Sequence, residues 1–398
     1  MSTDQATGPT LDQALADELV ALRRELHRHP ELAGHEARTA ALVAERLRRA
    51  GLAVTTGVGG HGVVAVAKGS RPGRTLAFRA DMDAVATDEA PGADFASEVP
   101  GAAHLCGHDL HTAIGVGIGV VLAREARRGG LAGRVVLVFE PAEEALVGAR
   151  AMLDDGVLSL VDGPIEEIHA YHCAPIPVGT FGIAPAFGFP GIDGFRIELT
   201  GEDVAERAAR VATAVRGLGT LGFPDSEAAV ERLVEEMAVP DGPYATFVLA
   251  VAQVEEQPPG AVVLGWLRAW PDSRYPELRA ALGAVARDAG PDARLVFDGE
   301  PFPGMVNAVG PSRAFGEHVR GVLGDGAVKV LHAAYPFNGE DFALFLQQLP
   351  GALHHLGVAD PAAGLNGLPH HPAFGADERA IAVGVEAMAG FLASRATR

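Results

Sequence analysis

The sequence predicts an α/β fold built on a mixed sheet, with a smaller α+β domain inserted into it. At 398 residues the chain exceeds the length over which one hydrophobic core keeps growing, so two domains are expected. Short apolar runs without alternation, at 62–67, 75–81 and 134–140, suit strands that are covered on both faces. The middle of the chain changes to an alternating pattern, which is typical of a sheet with one exposed face.

The first predicted segment, 1–187, begins with two amphipathic helices at 11–29 and 36–50. Apolar residues recur at helical spacing in the second of them, and Gly51 stands where a C-terminal cap belongs. A third helix is predicted at about 111–127, between the last two apolar strands.

The inserted segment, 188–300, is predicted to have its own sheet. "GFRIELTG" at 194–201 alternates as a half-buried strand does, and the stretch after it places apolar residues on one helical face. Further elements follow as strands at 244–253 and 262–270, a helix at 276–289 and a strand at 293–298. This order is typical of an α+β domain.

The last predicted segment, 301–398, returns to Pro- and Gly-rich turns, then a helix, the strand "GALHHLGV" and a final helix at 377–394. We therefore predict that 1–187 and 301–398 form one domain, which 188–300 interrupts.

Composition excludes several classes of partner. A net charge of −19 disfavours nucleic acid and acidic membrane surfaces, since both need a basic patch. The first residues lack the pattern of an export signal, and no apolar run reaches the ~20 residues of a membrane span. Two cysteines do not make a disulfide framework. We expect a cytoplasmic protein that binds neither nucleic acid nor membrane.

Potential metal ligands are crowded into the stretch "GAAHLCGHDLHTAIGVG" at 101–117 and into three other places. The three other places all lie at predicted strand ends or in loops, where an open α/β sheet gathers its ligands. The potential ligands are His104, Cys106, His108, Asp109 and His111, then Glu140, Glu143 and Glu144, then His169 and His172, and last His370 and His371.

Each of these residues has an ordinary structural explanation when taken alone. A buried histidine is more often hydrogen-bonded in a core, and two glutamates after a strand suit a helix N-terminus. We interpret His111 and Glu140 as structural, and His27, His29 and His35 as structural or solvated.

Taken together, the candidates form a mixed sulfur, nitrogen and oxygen ligand set. A structural zinc site prefers four Cys or His ligands in close pairs, and this set is too rich in carboxylate and too scattered for that. Two neighbouring divalent ions with a bridging ligand would use it fully.

Seven stretches resemble the M20 metallopeptidase family, in its amidohydrolase/carboxypeptidase branch, and they occur in the family's order. They are "RRELHRHPELAGHEARTA" (23–40), "RADMDAVATDE" (79–89), "HLCGHDLHTA" (104–113), "FEPAEEALVGARAML" (139–153), "YHCAPIPVGT" (171–180), "NGEDFALFLQQLPGALHHLG" (338–357) and "HHPAF" (370–374). The resemblance implies a zinc-exopeptidase-like catalytic domain with an inserted lid or dimerisation domain.

The resemblance also implies roles for individual residues. Cys106 corresponds to a bridging thiolate, His108 and His172 to ligands of one ion, and Glu144 and His370 to ligands of the other, with His371 as the alternative to His370. Glu143 matches the general acid/base, and Asp83 matches a catalytic carboxylate near the site. Asn307 and Arg268 match positions near the substrate or lid.

The chemistry explains why these residue types are needed. A bound divalent ion lowers the pKa of its water from ~15.7 to about 7, and a nearby carboxylate can take that proton and return it to a leaving amine. One glutamate cannot both ligate an ion and transfer a proton, which gives Glu143 and Glu144 separate tasks. We expect two ions per chain, chosen from zinc, manganese, cobalt and nickel.

The insert departs from the family pattern. The family has a Gly-rich loop with a "HAAxPH"-like histidine after this strand, but "LTGEDVAERAARVATAV" contains no histidine. A "NVIPD"-like segment is replaced by "EEQPPGAVV" at 255–263.

We therefore predict a dinuclear metal-dependent hydrolase that cleaves the amide bond of an N-acyl amino acid or related small amide, with an unusual substrate. The alternatives are a catalytically impaired relative that acts as a metal-containing binding module, and a protein with one structural zinc ion. A homodimer through the insert is implied by the resemblance.

Overall fold

The computed structural model describes residues 9–397 except 91 and 225, and gives backbone alone at 227, 228 and 231. Its helices are α1 Gln13–Arg28, α2 Ala37–Arg49, α3 His108–Arg127, α4 Gly148–Asp154, α5 Val204–Arg216, α6 Glu227–Met237, α7 Tyr275–Ala289, α8 Val309–Leu323, α9 Phe342–Leu346 and α10 Arg379–Ala396. Its strands are β1 Ala53–Val58, β2 Gly62–Lys68, β3 Arg71–Asp81, β4 Ala132–Glu140, β5 Glu167–Pro177, β6 Phe181–Ile183, β7 Gly188–Phe189, β8 Asp193–Leu199, β9 Phe247–Gln257, β10 Gly260–Trp270, β11 Arg294–Phe297, β12 Met305–Val306, β13 Val328–Val330 and β14 Gly351–Ala359.

The described chain divides into two compact units. The first comprises the described residues of Met1–Pro185, Asn307–Val330 and Leu344–Arg398, and the second comprises those of Ala186–Val306 and Leu331–Ala343. The sequence placed 331–343 in the last segment. Within the second unit these residues are held by a bond from the Tyr335 N–H to the Gly188 carbonyl, and by the ring of Phe337 against Phe223.

The first unit contains an eight-stranded sheet in the order β1-β2-β4-β3-β5-β14-β6-β13. Neighbours β4, β3, β5 and β14 are parallel, whereas β1 and β2 pair antiparallel at one edge, so the predicted mixed α/β class is confirmed. The strands at 62–67, 75–81 and 134–140 lie within β2, β3 and β4. Their near-continuous apolar character reflects a sheet that is buried on both faces.

The apolar core of the first unit lies between its sheet and the helices α1, α2, α3 and α10. Helix α3 runs through this core, and 15 of its 20 residues are buried. Its glycines allow close packing: a Cβ at Gly115 would meet the ring of Phe139, and one at Gly119 would meet Leu137. In the part of the chain that the structure describes, no helix is long and apolar enough to cross a membrane.

The second unit has a four-stranded antiparallel sheet in the order β11-β8-β10-β9. Strand β8 alternates between buried and half-buried residues, as its sequence predicts. Helices α5 and α7 cover one face of this sheet; on the apolar face of α5, Ala208, Val211 and Val215 are buried and Val204 is partly buried.

Candidate metal centre

The polar residues singled out in the sequence gather at one edge of the eight-stranded sheet. Strands β3, β4 and β5 run parallel, so their carboxyl ends share that edge. Asp83 follows β3, the pair Glu143 and Glu144 follows β4, and His172 is the central residue of β5. Helix α3 begins at the same edge with His108 as its first residue.

The Cys-Gly-His turn before α3 requires glycine at its centre. Gly107 has φ +86°, a conformation that L side chains rarely adopt, and a Cβ there would lie 2.6 Å from the Cys173 Sγ. This turn places Cys106 before the helix and His108 on its first position, so that the thiol and the imidazole reach the same space.

The two glutamates lie on a tight turn between β4 and α4. Ala142 and Leu146 adopt positive φ values of +56° and +55°, and a Cβ at Gly148 would overlap the Pro141 carbonyl oxygen. The Ala142 N–H donates to Glu36 Oε1 at 2.8 Å, which ties the turn to the segment before α2. Strained backbone of this kind persists where the surrounding structure holds it, and it often occurs at functional sites.

Two groups of possible ligands share the Cys106 thiol. Its Sγ lies with one ligand atom each from His108 and His172 in a first group, and with atoms from Glu144 and His370 in a second, all atoms of a group being within 4.8 Å of one another. The Sγ is 3.4 Å from His172 Nε2, and Glu144 Oε1 is 3.2 Å from His370 Nε2. The structure thus brings the five predicted ligands together.

Hydrogen bonds set the tautomers of two of these histidines. His172 Nδ1 donates to the Cys173 carbonyl at 2.8 Å, and His108 Nδ1 donates to Asp83 Oδ1 at 3.3 Å. Each bond occupies Nδ1 and leaves Nε2 as the ring nitrogen that faces the shared space, which is how metal-binding histidines are oriented in proteins. Asp83 also accepts the Glu144 N–H at 2.9 Å, so one carboxylate orients both a candidate ligand and the turn that carries another.

The buried space between these residues carries several acidic side chains, which favour bound cations. Burial raises the pKa of the Cys106 thiol well above its usual range, and the carboxylates of Glu144 and Glu143 raise it further. Burial lowers the pKa of His108, but the charges of Asp81 and its other acidic neighbours outweigh burial and raise it to about 10. Buried negative charge is costly without a counter-charge, which divalent ions supply.

The imidazole of His108 provides a test of fit for a metal. Its Nε2 is buried, and among the described residues it has no hydrogen-bond partner. Oxygens of Asp81, Glu143 and Glu144 each lie 3.8 Å from it, which is too far for a hydrogen bond. A donor set of thiol, imidazole and carboxylate suits borderline divalent ions such as zinc. The residues therefore fit a metal centre.

His370, and not its neighbour, is the histidine that reaches Glu144. His371 uses its Nδ1 to accept the Ala373 N–H at 3.1 Å within its own turn. His370 has a positive φ of +61°, and its N–H donates to the Leu105 carbonyl at 2.8 Å.

Other candidates from the sequence have structural partners. His111 Nε2 accepts the Cys173 N–H at 2.9 Å, and its Nδ1 donates to Asp81 Oδ1 at 2.6 Å, so both ring nitrogens are used. Glu140 accepts from Arg79 Nε at 2.5 Å. His169 bonds to Glu167 and to His354 on the opposite face of β5 from His172.

A family model then decides the affiliation of the chain. The model for peptidase family M20/M25/M40 matches residues 77–394, which is most of the sequence. The chain belongs to this family. Its members include amidohydrolases, deacetylases and carboxypeptidases, so the protein is a hydrolase that acts on amide or peptide bonds.

Individual members of the M20 family align along almost the whole chain. A Synechocystis protein named as a probable hydrolase is 33% identical over 94% of this chain and 95% of its own. The N-acetylcysteine deacetylase of Bacillus subtilis is 30% identical, with the same two coverages. A Bacillus subtilis structure described as a dinuclear metal-binding peptidase from the M20 family has a TM-score of 0.76 and 27% identity, over 97% of this chain and 99% of that one.

The two residues predicted near the substrate or lid, Asn307 and Arg268, have the following surroundings. The Asn307 amide is buried and bonds to the backbone, donating to the Ala184 carbonyl at 3.3 Å and accepting the Leu353 N–H at 2.8 Å. These two bonds join the segment before α8 to β14 and to the Ala184 carbonyl. Arg268 lies on β10 of the second unit, where its guanidinium is 5.4 Å from the Trp266 ring.

The sequence interpretation missed His355. This residue lies on β14 directly opposite His172 on β5, and in-register residues of parallel strands point to the same face. The alternation of the "HH" pair was the available signal, because it sends His354 into the apolar core beside Phe315 and His355 to the other face. Burial lowers the pKa of His355 to about 4, so its imidazole is neutral near pH 7.

Proposed function

We propose that the protein is a dinuclear metal-dependent hydrolase that cleaves the amide bond of an N-acyl amino acid or a related small amide. The observation that carries this proposal is the presence of Cys106 in two ligand groups, one with His108 and His172 and one with Glu144 and His370. Glu143 belongs to neither of these two groups; it forms a further group with His108 and Glu144, and its carboxylate lies 3.8 Å from His108 Nε2.

The proposed ligands of the two ions are the five residues of these groups. Zinc, manganese, cobalt and nickel all suit such a mixed donor set. Divalent ions bound there would lower the pKa of water to about 7 and polarise an amide carbonyl.

Glu143 is the proposed general acid/base. Its side chain is 6% exposed and lies on the strained turn after β4, so it is both shielded and held in place. A carboxylate at this position takes a proton from the attacking water and returns it to the leaving amine. Asp83 supports this step as a positioning residue, because it holds the His108 ring and the Glu144 backbone.

Similarity to N-acetylcysteine deacetylases and to carboxypeptidases supports an amide substrate with an amino-acid portion. The missing histidine of the insert favours a substrate that differs from those of typical relatives. Loss of one oxyanion donor typically costs about 10²–10³ in rate, which lowers but does not abolish activity. We propose in addition that the protein binds small amides as ligands and that it forms a homodimer through the insert.

The role of Glu143 is tested with the Glu143→Gln variant. We expect it to bind both ions with near-normal affinity and to lose turnover by at least 10³-fold, since an amide cannot accept the proton. Metal content by mass spectrometry and amine release from a panel of N-acyl amino acids are the measurements. Turnover that equals that of the unmodified protein would remove Glu143 from the mechanism.

The departures in the insert also support a second candidate, a binding module that keeps its metals without catalysis. Under this alternative, members of the same panel would raise the melting temperature of the metal-loaded protein with no amine released. A single ion per chain that Glu144→Ala leaves unchanged would instead favour one structural metal.

A further inference from the structure

The motif "RRELHRHPE" near the start of the chain contains a buried histidine with no part in the proposed chemistry. His27 lies on α1 and is 3% exposed. Its Nδ1 is 2.8 Å from Asp109 Oδ2, and its Nε2 is 2.9 Å from Glu89 Oε2. Ionised carboxylates only accept hydrogen bonds, so the ring donates from both nitrogens and carries a positive charge.

The charged groups around His27 favour this charge. Asp109 and Glu89 face it from α3 and from the loop after β3, while Arg23 of α1 shares Asp109 through a 2.7 Å contact from its Nε. The ring of His104, which is neutral since burial lowers its pKa to about 3, lies 6.3 Å away. Burial lowers the pKa of His27, but the two carboxylates outweigh burial and raise it.

Glu89 belongs to the loop 86–102, which the structure describes except at residue 91 and which connects the end of β3 to the turn before α3. Its other carboxylate oxygen accepts the Ser97 N–H, so the loop closes on the same side chain that pairs with His27. Phe95 of this loop packs edge-on against the His27 ring at 5.3 Å, and the Arg23 guanidinium lies 4.5 Å from the Phe95 ring centre. Helix α1 thus contacts the loop 86–102 through the His27–Glu89 ion pair and through the packing of His27 and Arg23 against Phe95.

The loop 86–102 in turn holds the segment that carries His370. The Ala90 N–H donates to the Pro372 carbonyl at 2.7 Å. His370 itself has a strained positive φ. Its side chain is 47% exposed, so few packing contacts hold that side chain in place. Strained backbone persists only where its surroundings hold it. The bond from the Ala90 N–H to the Pro372 carbonyl therefore helps to determine the position of His370.

We propose that His27 and Glu89 are positioning residues for the His370 side of the metal centre. Their ion pair fixes the loop 86–102, and the loop fixes the His370 turn so that its imidazole meets Glu144. This inference rests on the proposed function, because it assigns His370 to a metal.

The test is a stepwise Co²⁺ titration of the full-length metal-free protein, followed by visible absorption and calorimetry. His370→Ala first identifies which binding step belongs to the His370 side. We expect His27→Gln to weaken that step by about 10–100-fold, the range for loss of residues that orient metal ligands, with the other step unchanged. His29→Gln is the matched control, since His29 lies two residues away and is only within 4.0 Å of Glu98.

The inference would be overturned if each of the two binding steps had the same affinity in His27→Gln, in His29→Gln and in the unmodified protein. If His27→Gln does not fold, Glu89→Gln carries the test, because it removes the charge at nearly constant shape, and the same selective weakening is expected. Failure of the unmodified protein to bind two ions would refute the proposed function itself, and that result appears before any variant is made.

Discussion

At the scale of single residues, the centre depends on side chains that hold other side chains. Asp83 accepts from the His108 ring and from the Glu144 backbone, and Glu36 accepts from the backbone of the turn that carries the two glutamates. The ligand types could be inferred from the sequence, but these supporting bonds could not, because they join residues that are 25 to 106 positions apart.

Asp83→Asn is expected to weaken metal binding by about 10–100-fold. An asparagine can present its NH₂ group to the His108 Nδ1–H or to the Glu144 N–H, so one donor loses its acceptor. Dissociation constants for Zn²⁺, measured by competition with a chelator, check this. Asp155→Asn is the control, since Asp155 accepts the Gly59 N–H at an exposed site, and equal affinity in both variants would contradict the role given to Asp83.

At the scale of elements, two short turns determine where the chemistry lies. The turn at Gly107 begins α3, and the turn at 141–148 joins β4 to α4; both use backbone conformations that few residues tolerate. The regular elements that they join were predictable from periodicity. The turns' own geometry was not, since it depends on Cys173 and Pro141 approaching the backbone closely.

Gly148→Ala is expected to destabilise the protein by about 1–3 kcal/mol and to lower activity, because its Cβ would overlap the Pro141 carbonyl oxygen. The turn must shift to relieve the overlap, and Glu143 and Glu144 shift with it. Urea unfolding and amine release measure the two effects. Gly321→Ala in α8 is the control: a Cβ there meets nothing within 4 Å, so stability should stay equal or rise.

At the scale of the whole first unit, a buried charge cluster ties the last helix to the sheet. Glu167 at the start of β5 accepts from Arg395 of α10 at 2.9 Å and from Arg74 of β3 at 3.2 Å, and it also bonds to His169. Burial raises the pKa of Glu167, but the bonds from His169 and Arg395 outweigh burial and lower it to about 2.

This shift predicts an acid-sensitive contribution to stability. The pKa of glutamate in an unfolded chain is about 4.3. The ionised Glu167 therefore stabilises the fold fully above that pH, and this stabilisation is lost as the pH falls towards 2. Glu167→Gln should lose about 1 kcal/mol at pH 6 and show a flatter fall in stability between pH 4.5 and 2. Urea unfolding across this range is the measurement. Glu166→Gln, at the more exposed partner of Arg74, should keep the steeper fall.

The sequence by itself determined the α/β class, the candidate ligands and the family resemblance, because apolar periodicity and the order of short motifs are local properties. It did not reveal the short strands β6 and β13 or the helices α4, α6 and α8, whose patterns are brief or mixed with turn residues. The tertiary structure alone decided three further points. His370, and not His371, lies beside Glu144. Both ring nitrogens of His111 are hydrogen-bonded, and His355 shares a face of the sheet with His172. Distances between residues far apart in the chain depend on strand register and on turn geometry, and neither is encoded in any one local stretch.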